Sequence, residues 1–152
     1  SMQYISIGNV ATIIESKDMS ATIAPESPYA LVVDDDEAIL SVVMLLLETE
    51  GYAGLGFSDS TKVIPFLEQL ETKHLPHVIL LDLMMPLVSG YEIAATLSQH
   101  PRFASIPIII MTADNRVKGA SAVPGATDWV GKPFQMHYLL TKLEHFLYPP
   151  TA

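Results

Sequence analysis

The sequence predicts an α/β protein, a doubly wound five-stranded parallel sheet with helices on both faces. Three observations lead there. Short, unbroken apolar runs at residues 30–33, 78–81 and 106–111 lack the alternation of half-solvated strands and so need cover on both sides. They alternate with segments of helical period, which is a βα repeat. Asp34, Asp82 and Thr112 each close one of these runs, at the end of a parallel sheet where its functional crevice lies.

The elements follow in order. Tyr4 to Ile7 and Val10 to Ile14 are short β-type runs around Gly8-Asn9, a turn pair, and predict a hairpin. Residues 16–28 are small and polar, end in Pro25 and Pro28, and read as a linker. The expected division is an extension and linker over 1–28, a compact domain over 29–148, and a tail over 149–152. Ala30 to Val33 is the first core strand, ending in Asp34-Asp35-Asp36. Glu37 to Glu50 then carries Ile39, Val42, Val43 and Leu46 at helical spacing, and Gly51 suits its stop. Leu40, Met44 and Leu47 form a second stripe, read as local packing in preference to a partner contact.

Tyr52 to Phe57 is a weak strand with two glycines. Ser60 to Glu71 is a helix that Pro65 should kink or delay. Val78 to Leu81 is a strand ending at Asp82, and Ser89 to Gln99 is helical with Pro101 beyond it. Ile106 to Met111 ends at Thr112. Asn115 to Val123 is a poor, short helix containing Gly119, and Asp128 to Gly131 a short strand before Lys132-Pro133. Gln135 to Leu147 puts Met136, Leu139, Leu140, Leu143, Phe146 and Leu147 on one stripe, an amphipathic helix.

Composition narrows the function. The chain has 152 residues, 8 Lys+Arg against 17 Asp+Glu, and a net charge of −9. It would repel phosphate backbones and anionic membranes, so direct nucleic-acid or membrane binding is not expected. With 49% hydrophobic residues it can build a core without staples. The absence of cysteine excludes disulfides, thiolate zinc sites and thiol nucleophiles, and is compatible with a reducing cytoplasm. No apolar run approaches the length of a membrane span, and no basic residue precedes Lys17, which is unlike a secretory signal. Ser1 ahead of Met2 reads as an added residue. Only Pro149 to Ala152 follow the last helix, so the expectation is a stand-alone protein or a fragment of a larger one.

Several carboxylates converging on one point repel each other unless a cation neutralises them. A hard divalent ion is implied, and Mg²⁺ suits it because it uses one or two protein carboxylates and leaves room for waters and a phosphate oxygen. A carboxylate beside such an ion can attack a phosphoryl group to give an acyl phosphate. Thr112 offers a hydroxyl and Lys132 a cation for the oxygens of the transferred group.

At this point the sequence resembles the receiver domain of two-component response regulators. The matching strings are Leu31-Val32-Val33-Asp34-Asp35-Asp36-Glu37, Leu80-Leu81-Asp82-Leu83-Met84-Met85-Pro86 followed by Ser89-Gly90-Tyr91, Ile109-Ile110-Met111-Thr112-Ala113, and Gly125 to Phe134. The resemblance implies a flavodoxin-like strand order 2-1-3-4-5. It implies that Asp82 is the phosphoacceptor and that Mg²⁺ is held by Asp82, by Asp35 directly, by Asp34 mainly through water, and by the backbone carbonyl of Met84. Thr112 would move toward the phosphoryl group, Lys132 would pair with it, and Trp129 would be the aromatic switch residue. The Lys132-Pro133 bond would be cis. The donor would be a sensor histidine kinase, a phosphotransfer protein or a small phosphodonor, and the output an unidentified downstream protein; a homodimer is left open. Such a protein is a switch and not an enzyme, beyond its own phosphorylation and dephosphorylation.

The pattern departs from the family in the tight Thr112 to Lys132 interval, with Gly119 and Pro124 flanking the fourth helix, and in a tryptophan at the switch position. Asp36 reads as a helix N-cap rather than a ligand. His74, His77, His100, His137 and His145 read as structural or exposed. A phosphatase of the haloacid-dehalogenase type is the alternative enzyme, because Asp34-x-Asp36 mimics its nucleophile motif. Ala38 stands where its Thr or Val belongs, no later paired acids follow, and there is no room for a cap. A receiver-like interaction module independent of phosphorylation is the other alternative.

Overall fold

The computed structural model describes residues 2–7, 10–15, 24–25 and 28–147. Its strands are β1 (Met2–Ile7), β2 (Val10–Glu15), β3 (Tyr29–Val33), β4 (Ala53–Phe57), β5 (Val78–Asp82), β6 (Ile108–Thr112) and β7 (Asp128–Gly131). The helices are α1 (Glu37–Thr49), α2 (Val63–Gln69), α3 (Gly90–Gln99) and α4 (Met136–Leu147). One sheet runs in the order β2-β1-β4-β3-β5-β6-β7. From β4 to β7 every pairing is parallel, which is the expected 2-1-3-4-5 core.

Residues of β3, β4, β5 and β6 are buried along their whole length, as strands covered on both faces must be. Alternate residues feed two separate cores. Leu31, Val33, Ile79, Leu81 and Ile110 pack with residues of α2 and α3, while Val32, Val78, Leu80, Ile109 and Met111 pack with α1 and α4. This two-sided packing carries the ends of β3, β5 and β6 to one edge of the molecule.

The hairpin read from residues 4–14 is present, with Met2↔Glu15 to Ile7↔Val10 in antiparallel register. Its position was not legible. β1 pairs antiparallel with β4 from Gln3↔Phe57 to Ser6↔Gly54 and so extends the sheet beyond its parallel core. The Gly8-Asn9 turn and most of the linker, like the tail after Leu147, lie outside the described residues.

Two local readings change, and a third resolves between its two alternatives. On α1 the inward face is Leu40, Val43, Met44 and Leu47, whereas Ile39 and Leu46 are half-buried and Val42 exposed. The helix is apolar nearly all round, so periodicity alone could not choose between its stripes. The Leu40, Met44 and Leu47 stripe is thus core packing. At Pro65 the chain delays the helix: a 3-10 turn at Ser60–Lys62 comes first and α2 starts at Val63, leaving proline in the first turn, where its missing N–H costs little.

The second change is the larger. No α-helix forms between β6 and β7; the segment holds only a 3-10 turn at Ala120–Ala122. Gly119 adopts φ 135°, outside helical space, and Pro124 closes the far side, so too few residues lie between them to nucleate a helix. Val117 and Val123 are buried instead and join the core beside Ile93, Ala94 and Leu97 of α3.

Candidate functional site

Asp34 follows β3, Asp82 ends β5, Thr112 ends β6 and Lys132 follows β7. The parallel register brings the four together from positions up to 98 residues apart. Asp34, Asp82 and Thr112 are buried. The Lys132 ammonium lies 2.7 Å from Asp34 Oδ2 and 3.3 Å from Asp82 Oδ1. Carboxylate oxygens of Asp34, Asp35 and Asp82 fall within 4.8 Å of one another.

Backbone bonds fix this frame. The Lys132 N–H donates to the Thr112 carbonyl at 2.7 Å and the Asp34 N–H to the Phe57 carbonyl at 3.1 Å. The Lys132-Pro133 bond is cis, as the resemblance implied. Asp34 is used on both oxygens, since Oδ1 accepts the Asp36 N–H at 2.9 Å while Oδ2 takes Lys132. Asp35 is exposed. Asp36 points to the helix: its Oδ1 accepts from Ala38 N–H and Ile39 N–H, the cap expected of it.

Gly90 was part of a matching string without a physical role, and the structure supplies one. A Cβ there would lie 2.1 Å from the Asp82 carbonyl oxygen and 2.8 Å from Leu83 Cα. Only glycine lets α3 start this close to the strand that carries Asp82. Ser89 caps α3 in a reciprocal capping box with Glu92, so the residue beside this contact is held on both sides.

Electrostatically the site is undercompensated. Three carboxylates face one ammonium. Burial, then the Asp34 charge, push the Asp82 carboxyl up to about 7, against the pull of Lys132. Burial pulls Lys132 down, yet the Asp34 and Asp82 carboxylates outweigh it and hold the ammonium above its ordinary value. Such a pocket favours an added hard cation, and its all-oxygen donor set fits magnesium.

The cavity over these groups has a volume of about 560 Å³ and is also lined by Met84, Ala113 and Pro133. Met84 is exposed beside it. The Thr112 hydroxyl does not line the cavity; it accepts the Asp114 N–H at 2.9 Å. The Asp114 carboxylate forms a two-point pair with the Arg116 guanidinium, which holds it down to about 2. That Thr112-Asp114-Arg116 chain was missed in the sequence; Thr-x-Asp after a strand is its only signal. Trp129 is half-buried against the core, and its indole nitrogen lies 3.7 Å from where a Cβ on Gly119 would be. None of the described histidines is in the site. His100 stacks on Phe103 with ring centroids 4.1 Å apart.

Residues 30–144 match the response regulator receiver domain family. Among curated proteins, the chain is 33% identical over 124 residues to the DNA-binding dual master transcriptional regulator RpaA of Synechocystis, a match covering 79% of this chain and 49% of that protein. It is 33% identical over 121 residues to the phosphate regulon transcriptional regulatory protein PhoB of Pseudomonas aeruginosa, covering 77% and 50%. The chain thus spans about half the length of the curated relatives it matches. Among solved structures, the chemotaxis response regulator CheY4 of Vibrio cholerae superposes with a TM-score of 0.68 at 27% identity, over 80% of this chain and 99% of that one. The signal receiver domain of a histidine kinase from Syntrophus aciditrophicus gives 0.69 at 26% identity, over 83% and 96%. No described helix is long and apolar enough to cross a membrane.

Proposed function

The chain belongs to the response regulator receiver domain family, and from that premise we propose that Asp82 accepts a phosphoryl group and that the added charge resets a signalling surface. The observation that carries this reading is the Asp82 carboxylate itself, buried at a strand end with Asp34 and Asp35 against it and Lys132 Nζ at 3.3 Å. In the transfer, an Asp82 oxygen forms the new bond to phosphorus as the bond from phosphorus to the donor imidazole breaks, and that nitrogen leaves with the electron pair and is then protonated. Lys132 neutralises the phosphoryl oxygens. The Thr112 hydroxyl accepts the Asp114 N–H and keeps its own O–H to donate to them, so a movement of Thr112 toward the phosphoryl group would carry the start of segment 113–127 with it.

Asp34, Asp35, Asp82 and the Met84 carbonyl would hold magnesium, Asp34 mainly through water, as the family resemblance implies. When bound, the ion supplies positive charge against the incoming phosphoryl oxygens. The partners are a histidine kinase or phosphotransfer protein and, on the output side, a protein that reads segment 113–127. We take residues 29–148 as the receiver unit, 1–28 as an appended hairpin and linker, and the cytoplasm as its place, with self-phosphorylation and hydrolysis as its only chemistry.

Intact mass after incubation with a small phosphodonor and Mg²⁺ tests this. Gain of one phosphoryl group by the wild type, and none by Asp82→Asn or with EDTA, is the expected result. No gain by a folded, magnesium-binding wild type would favour the phosphorylation-independent module.

A further inference from the structure

A cavity of about 410 Å³ opens where the loops entering β5 and β6 meet, at the opposite end of those strands from Asp82 and Thr112. Buried Leu75 and Ile106 give it apolar wall, and Lys73, His77 and Arg102 give it cationic or protonatable groups. Among the described residues no carboxylate lines it, in a chain with 17 acidic residues against 8 basic ones. The nearest balancing charge in sequence, Glu71, meets Lys73 at 3.6 Å with both side chains 72% exposed, a pair too solvated to hold the ammonium.

Hydrogen bonds tie the walls together. The Tyr29 hydroxyl donates to the His74 carbonyl at 2.7 Å, the His77 N–H to the Tyr29 carbonyl at 3.0 Å and the Ile79 N–H to the Pro107 carbonyl at 2.9 Å. Arg102 is anchored as well. Its guanidinium donates to the Leu70 carbonyl and lies 5.3 Å from the Phe103 ring centroid, which leaves further N–H donors on the same planar group. The side chains of His77 and Ser105 make no hydrogen bond among the described residues.

An anchored Arg102, with the Lys73 ammonium and the His77 imidazole beside it and an apolar wall, in a cavity of small-molecule size, suits an anion with an organic body. We propose that this cavity binds a small organic phosphate, its phosphate on Lys73, Arg102 and His77 and its body against Leu75 and Ile106. The site is independent of the receiver reading and stands outside it. Because β5 and β6 begin here and end at Asp82 and Thr112, an occupant would rest on the two strands that carry those residues.

The test is an amide NMR titration of the full chain in EDTA with phenyl phosphate, compared with inorganic phosphate and with phenol. Saturating shifts over residues 72–77 and 102–107 are expected, with phenyl phosphate binding more tightly than either fragment. Lys73→Gln should weaken it at least about fivefold, as loss of one charge-assisted bond does, without moving the thermal midpoint. Arg102→Gln should weaken it as much; where that variant loses its fold, Lys73→Gln and His77→Gln decide. Unsaturable shifts scattered over the surface, shifts confined to the Asp82 end, equal binding of inorganic phosphate, or unchanged affinity in Lys73→Gln and His77→Gln would each overturn the proposal.

Discussion

Lys132 places its ammonium 2.7 Å from the buried Asp34 carboxylate, a contact spanning 98 residues of sequence, and the same nitrogen is 3.3 Å from Asp82. One cation therefore serves two carboxylates at the meeting point of β3, β5 and β7.

Removing that cation leaves buried charge without its partner. Lys132→Met in EDTA should be destabilised by about 3–5 kcal/mol, read by urea unfolding. Added Mg²⁺ should restore a larger share of stability to this variant than to the wild type, because it alone then opposes the carboxylates. Equal stability of the two proteins in EDTA would show that Lys132 is not what holds the pair together.

Asp82 sets the pH dependence of the metal-free domain. Its carboxyl is raised from 3.8 to about 7, so between those values the native state holds a proton that the unfolded chain has released, and stability falls as pH rises through that window. Asp82→Asn removes this loss. Its thermal midpoint in EDTA should exceed that of the wild type by several degrees at pH 8, with the gap closing toward pH 4. A gap independent of pH would refute the assignment.

Asp35 and Asp36 are adjacent and should fail differently. Asp36 caps α1 through Ala38 and Ile39 N–H, so Asp36→Ala should cost about 1 kcal/mol of stability and leave magnesium affinity nearly intact. Asp35 is exposed and belongs to the carboxylate cluster, so Asp35→Ala should keep its stability and lose magnesium binding at least about tenfold. Calorimetric Mg²⁺ titration beside thermal melts separates the two.

Gly90→Ala forces a methyl group to 2.1 Å from the Asp82 carbonyl oxygen. Either α3 or the end of β5 must move, at a cost of about 2 kcal/mol or more. Magnesium affinity should fall with stability, because the moving backbone is that of Asp82 itself. A variant as stable as the wild type would mean that α3 shifts freely at its start.

The chain itself determined which residues sit at the strand ends. Apolar runs without alternation dictate a sheet covered on both faces, and such a sheet must present Asp34, Asp82, Thr112 and Lys132 along one edge; the resemblance to the family then suggests the roles proposed for them. Local signals were equally legible where the physics is local, as with the Asp36 cap, the delay at Pro65 and the hairpin. What only the tertiary structure decided are the outcomes of competition between distant partners. The hairpin's docking on β4 depends on an open sheet edge that no local signal in residues 2–15 describes. The buried face of α1 could not be read from a helix apolar nearly all round. Between β6 and β7, burying Val117 and Val123 against α3 won over a helix that Gly119 and Pro124 had already weakened. The Thr112 hydroxyl is tied to the Asp114 N–H, and the cationic cavity is assembled from loops that meet only when β5 and β6 pair, because side chains far apart in sequence are brought together by packing alone.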